Sequence, residues 1–395
     1  MTKTATRPQL NAAAAATFLI FGINGLVFAS WAARIPAVTE ILNISSGQMG
    51  TLLLCVAAGS LIALPTAGHV VGRIGTANAV RAAGLLAAFA GAGVALALLA
   101  ESVPGTAIAL FFFGMGIGLW DVSQNIEGAD VEHQLGRTIM PQFHAAFSGG
   151  AFLGALIGAG LAGLGVGLPA HLLVIAVIVA VLTLTAPRYF LPHAPASAPA
   201  AGETAEPKGR SAWRDGRTLL IGVVVLGATL TEGAGNDWIA KAAVDGLDAS
   251  ETTGALLFAA FVLAMTAVRF FGGRAIDAYG RVAVLRASMA AAAVGLALFV
   301  LAGDLWLATA GAVLWGAGAA LAFPMGMSAA ADDPKHAAAR VSVVSTIGYV
   351  AFLAGPPLLG YLGDLVGIRV ALLAIMIPIL GALLLAGAAK PLRAT

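Results

Sequence analysis

Charged side chains are scarce in this sequence. Only 10% of its 395 residues are Asp, Glu, Lys or Arg, whereas 59% are hydrophobic. Soluble domains carry about 25% charged residues, so this composition excludes a soluble globular protein and indicates an integral membrane protein. Apolar runs recur along the whole chain and leave no room for a large soluble domain.

The sequence also lacks the residues that several kinds of site require. Its one cysteine, Cys55, excludes an intrachain disulfide and lies in an apolar run, as is typical of a small buried residue. No glycine-rich loop is followed by Lys-Ser or Lys-Thr, so ATP is not indicated as an energy source. No group of His, Cys and Asp has metal-ligand spacing. We therefore expect no enzyme activity, no metal and no cofactor.

The apolar runs predict an all-α membrane fold, since about 20 apolar residues cross a bilayer as one helix. Twelve spans are predicted, at 11–33, 48–71, 79–100, 104–128, 141–165, 168–186, 217–240, 252–273, 282–302, 305–329, 340–362 and 368–389. Residues 1–186 are predicted to form one six-helix bundle and 217–395 a second. The segment 187–216 between them is rich in Pro, Ala and charge, which is typical of a flexible linker.

The positions of Lys and Arg predict the orientation. Most of the 21 Lys and Arg residues fall on the side of the amino terminus, and the opposite side receives only Arg34, Lys241 and Arg369. The positive-inside rule then places both termini and the linker in the cytoplasm, with the chain in the inner membrane. The same bias accounts for the net charge of +2 without a nucleic-acid partner.

The two halves repeat weakly. Trp31 and Arg34 end the first span as Trp238 and Lys241 end the seventh. Glycine patterns recur after the second and eighth spans. They also recur in the fourth and tenth spans, where Gly116-x-Gly118 is predicted to correspond to Gly316-x-Gly318. Two pseudo-symmetric six-helix bundles are typical of transporters whose site lies between the halves.

The segments after the second and eighth spans resemble the G-x-L-x-D-R-x-G-R motif of the major facilitator superfamily. The second copy has Gly273, Asp277, Gly280 and Arg281, whereas the first has Arg73 but lacks the Asp. The resemblance implies the fold of that superfamily and a gating role for these residues. Arg137, in a charged stretch with Glu127, Asp130 and Glu132, is a further gating candidate, although that stretch is equally typical of a solvated loop.

A narrower resemblance is to the fucose-permease-like sugar transporters. Their fourth span carries an acid and, four residues later, an Asn, as Asp121 and Asn125 do here. Their fifth span opens with a polar residue after a Phe, where this chain has His144. The resemblance implies proton coupling through Asp121, although Asp replaces the usual Glu and His144 replaces the usual Asn.

Asp121 and Asn125 are also notable without the family, because residues four apart share a helix face. Asp121 closes the uncharged run 102–120, and a carboxylate at membrane depth is expected to be functional. His144 is predicted at similar depth on the next helix, where it either exchanges a proton with Asp121 or only joins the two helices by a hydrogen bond.

Other polar residues within spans are predicted to bind substrate, against a structural alternative for each. Glu232 and Asn236 lie in a Gly-rich stretch that predicts a kinked seventh span lining a cavity. Asn24 needs a partner in hydrocarbon, either substrate or a neighbouring helix. Trp31 and Trp238 either contact substrate or belong to an aromatic belt. Arg269 is expected to pair with Asp277 or to reach towards the interface.

The sequence thus predicts a monomeric secondary transporter that moves a small polar solute, for example a sugar, by alternating access with protons. Its partners are the solute, protons and the lipid bilayer. Proton-coupled drug or metabolite efflux, and a sensor of the same fold that binds without transporting, are the alternatives.

Overall fold

Most of the described residues lie in apolar helices. The computed structural model describes residues 6–137, 139–191, 212–333 and 336–392, and no strand occurs within these ranges. The chain divides into two compact units: unit 1 is Met1–Ile44 with Leu52–Thr204, and unit 2 is Ser45–Thr51 with Ala205–Thr395. Most of the predicted linker, 192–211, lies outside the described residues, and the predicted domain limits stay a prediction.

Six helices precede the linker, and eight follow it. The first six are α1 (Arg7–Ala32), α2 (Ile35–Leu42), α3 (Ser46–Leu99), α4 (Val103–Leu135), α5 (Met140–Gly163) and α6 (Leu168–Thr185). The helices of unit 2 are α7 (Gly216–Leu247), α8 (Glu251–Tyr279), α9 (Arg281–Leu301), α10 (Leu305–Ala319), α11 (Ala322–Ala330), α12 (Ala337–Val366), α13 (Ile368–Ala371) and α14 (Met376–Leu385). Short 3₁₀ turns occupy Ala186–Tyr189, Leu372–Ile375 and Ala386–Ala389.

Eleven helical segments of the described chain are long and apolar enough to cross a membrane. One of them, α3, has 54 residues and contains the non-helical residue Gly75. A helix of that length extends about 80 Å, more than twice the hydrocarbon thickness, so α3 supplies two crossings. The prediction of an all-helical membrane fold is confirmed.

Backbone conformation repeats between the two halves. Gly75 and Gly280 have φ of 77° and 80° with ψ of 162° and 155°, a region open only to glycine. Asn43 and Asp248 end helices in the left-handed conformation, at φ of 48° and 51°. Both pairs have the same sequence separation, which supports the predicted internal repeat.

The predicted register of the fourth and tenth spans is wrong by two residues. A Cβ on Gly114 would meet the carbonyl of Val56, and one on Gly316 would meet the carbonyl of Phe261. Val56 and Phe261 are separated like Gly75 and Gly280, so Gly114 corresponds to Gly316, and Gly116 to Gly318. The alternating glycines of 114–118 allow either alignment in sequence, and helix packing selects one.

Two predicted irregularities are absent from the described helices. The stretch predicted as a charged loop after the fourth span is helical to Leu135, and within it Glu127 is fully buried. Glu127 accepts hydrogen bonds from Thr76 Oγ1 at 2.6 Å and from the amide of Leu191 at 2.8 Å. The seventh span is likewise one continuous helix, α7, rather than a kinked segment.

Candidate functional site

The predicted polar face of α4 is present in unit 1. Asp121 has an exposed side chain, and its Oδ1 accepts from Asn125 Nδ2 at 3.2 Å and from Gln124 Nε2 at 3.3 Å. Asn125 Nδ2 also donates to the Asp121 carbonyl at 2.8 Å. The predicted common face of Asp121 and Asn125 is confirmed. The amides hold the carboxylate in one orientation while leaving Oδ2 open to a ligand or a proton.

His144 joins this face from α5. Its exposed imidazole lies within electrostatic range of the Asp121 carboxylate. The ring of His144 packs edge-on against Phe21 of α1, with 5.4 Å between centroids. Unit 1 therefore places an acid and a base near each other, whereas their predicted common depth and their role in coupling stay predictions.

Asn24 and Trp31 lie inside unit 1. Asn24 is fully buried, and neither its Nδ2 nor its Oδ1 has a hydrogen-bond partner among the described residues. Leaving a buried amide unpaired costs about 1 to 3 kcal/mol, so Asn24 is a site that a polar ligand or water would satisfy. Trp31 is 4% exposed and borders an apolar cavity with Val27 and Phe113.

Glu232 of α7 forms an ion pair in unit 2. Arg269 Nη2 lies 2.8 Å from Glu232 Oε2, and Arg269 Nε donates to the Ala320 carbonyl at 3.1 Å. The expectation that Arg269 pairs with Asp277 is therefore wrong. Residues 269 and 277 lie two turns apart along α8, about 12 Å, whereas Glu232 reaches Arg269 from the neighbouring helix. Asp277 is exposed.

A second acidic residue of α7 was missed from the sequence. Asp237 lines a small cavity between α7 and α12, together with Thr229, Trp238 and Phe352. It has no hydrogen bond or ion pair to another described residue. Thr229 Oγ1 and Trp238 Nε1 are buried and equally unpaired within the described chain. Asn236 is half-buried beside this group.

The opposite wall of that cavity contains one of two consecutive prolines of α12. Pro356 borders it directly, and Pro357 follows within α12. A proline has no amide hydrogen, so the carbonyls four residues earlier, at Phe352 and Leu353, lose their helical donors. Asp237, like Glu232, is a charged residue in an apolar span, so the sequence carries a signal that could have found it.

The predicted gating residues separate into one network and several exposed positions. Arg281 Nη1 lies 3.0 Å from Asp332, and Arg217 Nη2 lies 2.8 Å from the same carboxylate. Asp332 follows α11 and has no sequence motif of its own, so it was missed. Gly280 has the glycine-only backbone conformation described above, whereas Arg73, Arg137 and Gly273 are exposed.

A neighbouring acidic group stabilises the start of α7. Asp215, which precedes the helix, accepts from the Thr218 hydroxyl, and Arg340 Nε lies 3.3 Å from its Oδ2. The hydrogen bond and the guanidinium lower the pKa of Asp215 from its ordinary value. This end of unit 2 is therefore joined by charge-assisted contacts. Within the described residues, no group of three or more His, Cys, Asp or Glu is placed to hold a metal ion.

Comparisons with known proteins agree with this architecture. A family model described as the Major Facilitator Superfamily matches residues 216–395. An uncharacterised transporter of Sinorhizobium fredii is 33% identical over 375 residues, which are 91% of this chain and 96% of that protein. An uncharacterised MFS-type transporter of Yersinia pestis is 30% identical over 362 residues, which are 90% of each chain.

A solved structure shares the fold. The structure of a mutant of the nucleoside transporter NupG matches with a TM-score of 0.77 and 15% identity, over 95% of this chain and 98% of that one. At this identity the match shows the fold alone.

Proposed function

Because the chain belongs to the major facilitator superfamily, we propose that it is a proton-coupled secondary transporter of a small polar solute, working by alternating access. The observation that carries the proposal is the exposed Asp121 carboxylate, oriented by Asn125 and within electrostatic range of His144, in the middle of a membrane-spanning helix.

The charge of Asp121 supports a functional role for this residue. A carboxylate at membrane depth is costly, so it persists where it performs a function. Its exposed position gives protons access, and His144 supplies a second group that binds a proton. A carrier needs such a group, because a coupled proton must be bound and released once in each cycle.

The solute class follows from the uncharged polar groups. Asn24 in unit 1 and Thr229 and Trp238 in unit 2 are buried without partners among the described residues. Hydroxyl groups, which both donate and accept, satisfy amide, indole and hydroxyl groups equally well. A hydroxylated solute such as a sugar or sugar derivative suits the unpaired groups of either unit. The fucose-permease-like resemblance points to the same class, and NupG, whose fold is shared, is a nucleoside transporter.

The setting we propose is the inner membrane, with both termini in the cytoplasm and the protein acting as a monomer. The bias of Lys and Arg towards one side supports the orientation. The paired cations at the start of α7 and α9, Arg217 and Arg281, lie on the side that this orientation makes cytoplasmic. Their shared partner Asp332 is suited to an inner gate.

Counterflow in proteoliposomes tests the proposal. Vesicles loaded with an unlabelled sugar, sugar acid, sugar phosphate, polyol or nucleoside receive the same labelled compound outside. We expect transient labelled uptake well above that of empty vesicles for at least one compound. The control is a compound of similar size without hydroxyl groups. If a compound binds the purified protein yet never exchanges, the protein is a sensor and the transport proposal fails.

A further inference from the structure

We infer that Arg269 is an anion-binding group that Glu232 occupies in the absence of solute, so that a proton on Glu232 and an anionic solute on Arg269 enter the site together. The inference rests on the proposed transport function and specifies the solute as one that carries a carboxylate, phosphate or similar anionic group. It begins from the 2.8 Å ion pair between α7 and α8.

The ion pair is only partly enclosed. The side chains of Arg269 and Glu232 are 30% and 20% exposed, although both residues lie within membrane-spanning helices. A pair that served solely to join two helices would be expected to be sealed from solvent. Here the two side chains are not fully covered by the helices of unit 2.

Arg269 also has unused donors. Its Nε donates to Ala320 and its Nη2 to Glu232, while no described group accepts from Nη1. Ala320 follows the end of α10, so its carbonyl fixes the guanidinium from a helix terminus. A guanidinium held at one edge with free N–H groups elsewhere matches the two oxygens of a carboxylate or phosphate.

No other described charge forms an ion pair with Glu232. The helices α10, α11 and α14, which pack against α7, carry no ionisable side chain. In α12, Arg340 is paired with Asp215, and Asp364 lies near the opposite end. Arg369 of α13 donates to backbone carbonyls. Elsewhere on α7, Lys241 is paired with Asp245, and Asp237 lines the cavity towards α12.

Charge balance then links the binding of a proton by Glu232 to the binding of an anion by Arg269. With Glu232 ionised the pair is neutral, and a proton on Glu232 leaves Arg269 as an uncompensated cation, which is costly in a membrane-spanning region. An anion restores neutrality. Proton binding therefore favours anion binding, and the reverse holds to the same extent because linkage is reciprocal.

Chemical rescue tests the inference without an identified solute. In Glu232→Ala the missing carboxylate leaves space beside Arg269. Formate should raise the melting temperature of this purified variant saturably, by several degrees, whereas formamide, its neutral isostere, should not. In wild-type protein, formate should bind more tightly as the pH is lowered, because a proton on Glu232 removes the carboxylate that competes with formate for Arg269.

Matched variants complete the test. Glu232→Ala combined with Arg269→Gln should lose the response to formate, whereas Glu232→Ala combined with Arg274→Gln, at an exposed arginine on the same helix, should keep it. If Glu232→Ala does not fold, Glu232→Gln, which keeps the shape, should show a formate response that does not change with pH. Equal effects of formate and formamide, or a response that survives Arg269→Gln, would overturn the inference. Because no step requires transport, such a result leaves the proposed function to be judged by counterflow.

Discussion

Asp121→Asn is expected to retain solute exchange and to lose accumulation driven by a pH gradient. The amide keeps the size of the carboxylate and still accepts from Asn125, so solute binding and the conformational cycle should persist. It has no proton to release, so solute movement is no longer linked to proton movement. The accumulation ratio should fall to about one, the value for passive equilibration, whereas counterflow should stay near the wild-type rate.

The control is Asp130→Asn, which removes a carboxylate from the same helix two and a half turns away. It should accumulate solute as wild type does. A structural role for Asp121 predicts another pattern, in which exchange and accumulation are lost together with the folded protein. Accumulation at the wild-type level in Asp121→Asn would exclude this residue from coupling and direct attention to Glu232.

Gly150→Ala should prevent unit 1 from folding normally. The helices α1 and α5 pack closely, and a Cβ at residue 150 would overlap the carbonyl of Gly22. The backbone of α1 cannot move aside as a flexible side chain does. In membranes, small residues such as glycine allow two helices to approach this closely. We expect a loss of about 1 to 3 kcal/mol or more, seen as a lower melting temperature and less monodisperse protein in size-exclusion chromatography.

The adjacent glycine provides the control. A Cβ at Gly149 meets no atom within 4 Å, so Gly149→Ala should change the melting temperature little. Equal stability of the two variants would show that α1 and α5 do not approach closely at Gly150.

The spans were predictable because each depends on local composition. Apolar runs of sufficient length leave a helix as the structure that satisfies its own backbone in lipid, and this holds whatever the helix contacts. The same reasoning placed Asp121 and Asn125 on one face, since residues four apart are adjacent on any helix. His144 was placed near them by depth alone, using the alternating directions of consecutive spans.

The helix ends and ion pairs were less predictable. Charged residues after the fourth span were interpreted as a loop, but Glu127 and its neighbours also suit a helix once Thr76 and the Leu191 amide are available as partners. The pairing of Glu232 with Arg269 depends on how α7 and α8 pack, which no local pattern encodes. The ion pairs of Asp332 were equally hard to predict, because its partners Arg217 and Arg281 are distant in sequence.

The most direct test of the account is proton movement in proteoliposomes that contain the purified protein and a pH-sensitive dye inside. Adding a solute identified by counterflow should acidify the interior in wild-type vesicles, in proportion to the solute taken up. The signal should be absent in Asp121→Asn vesicles that still exchange the solute. Solute entry without any pH change in wild-type vesicles would contradict the claim that this protein couples solute movement to protons.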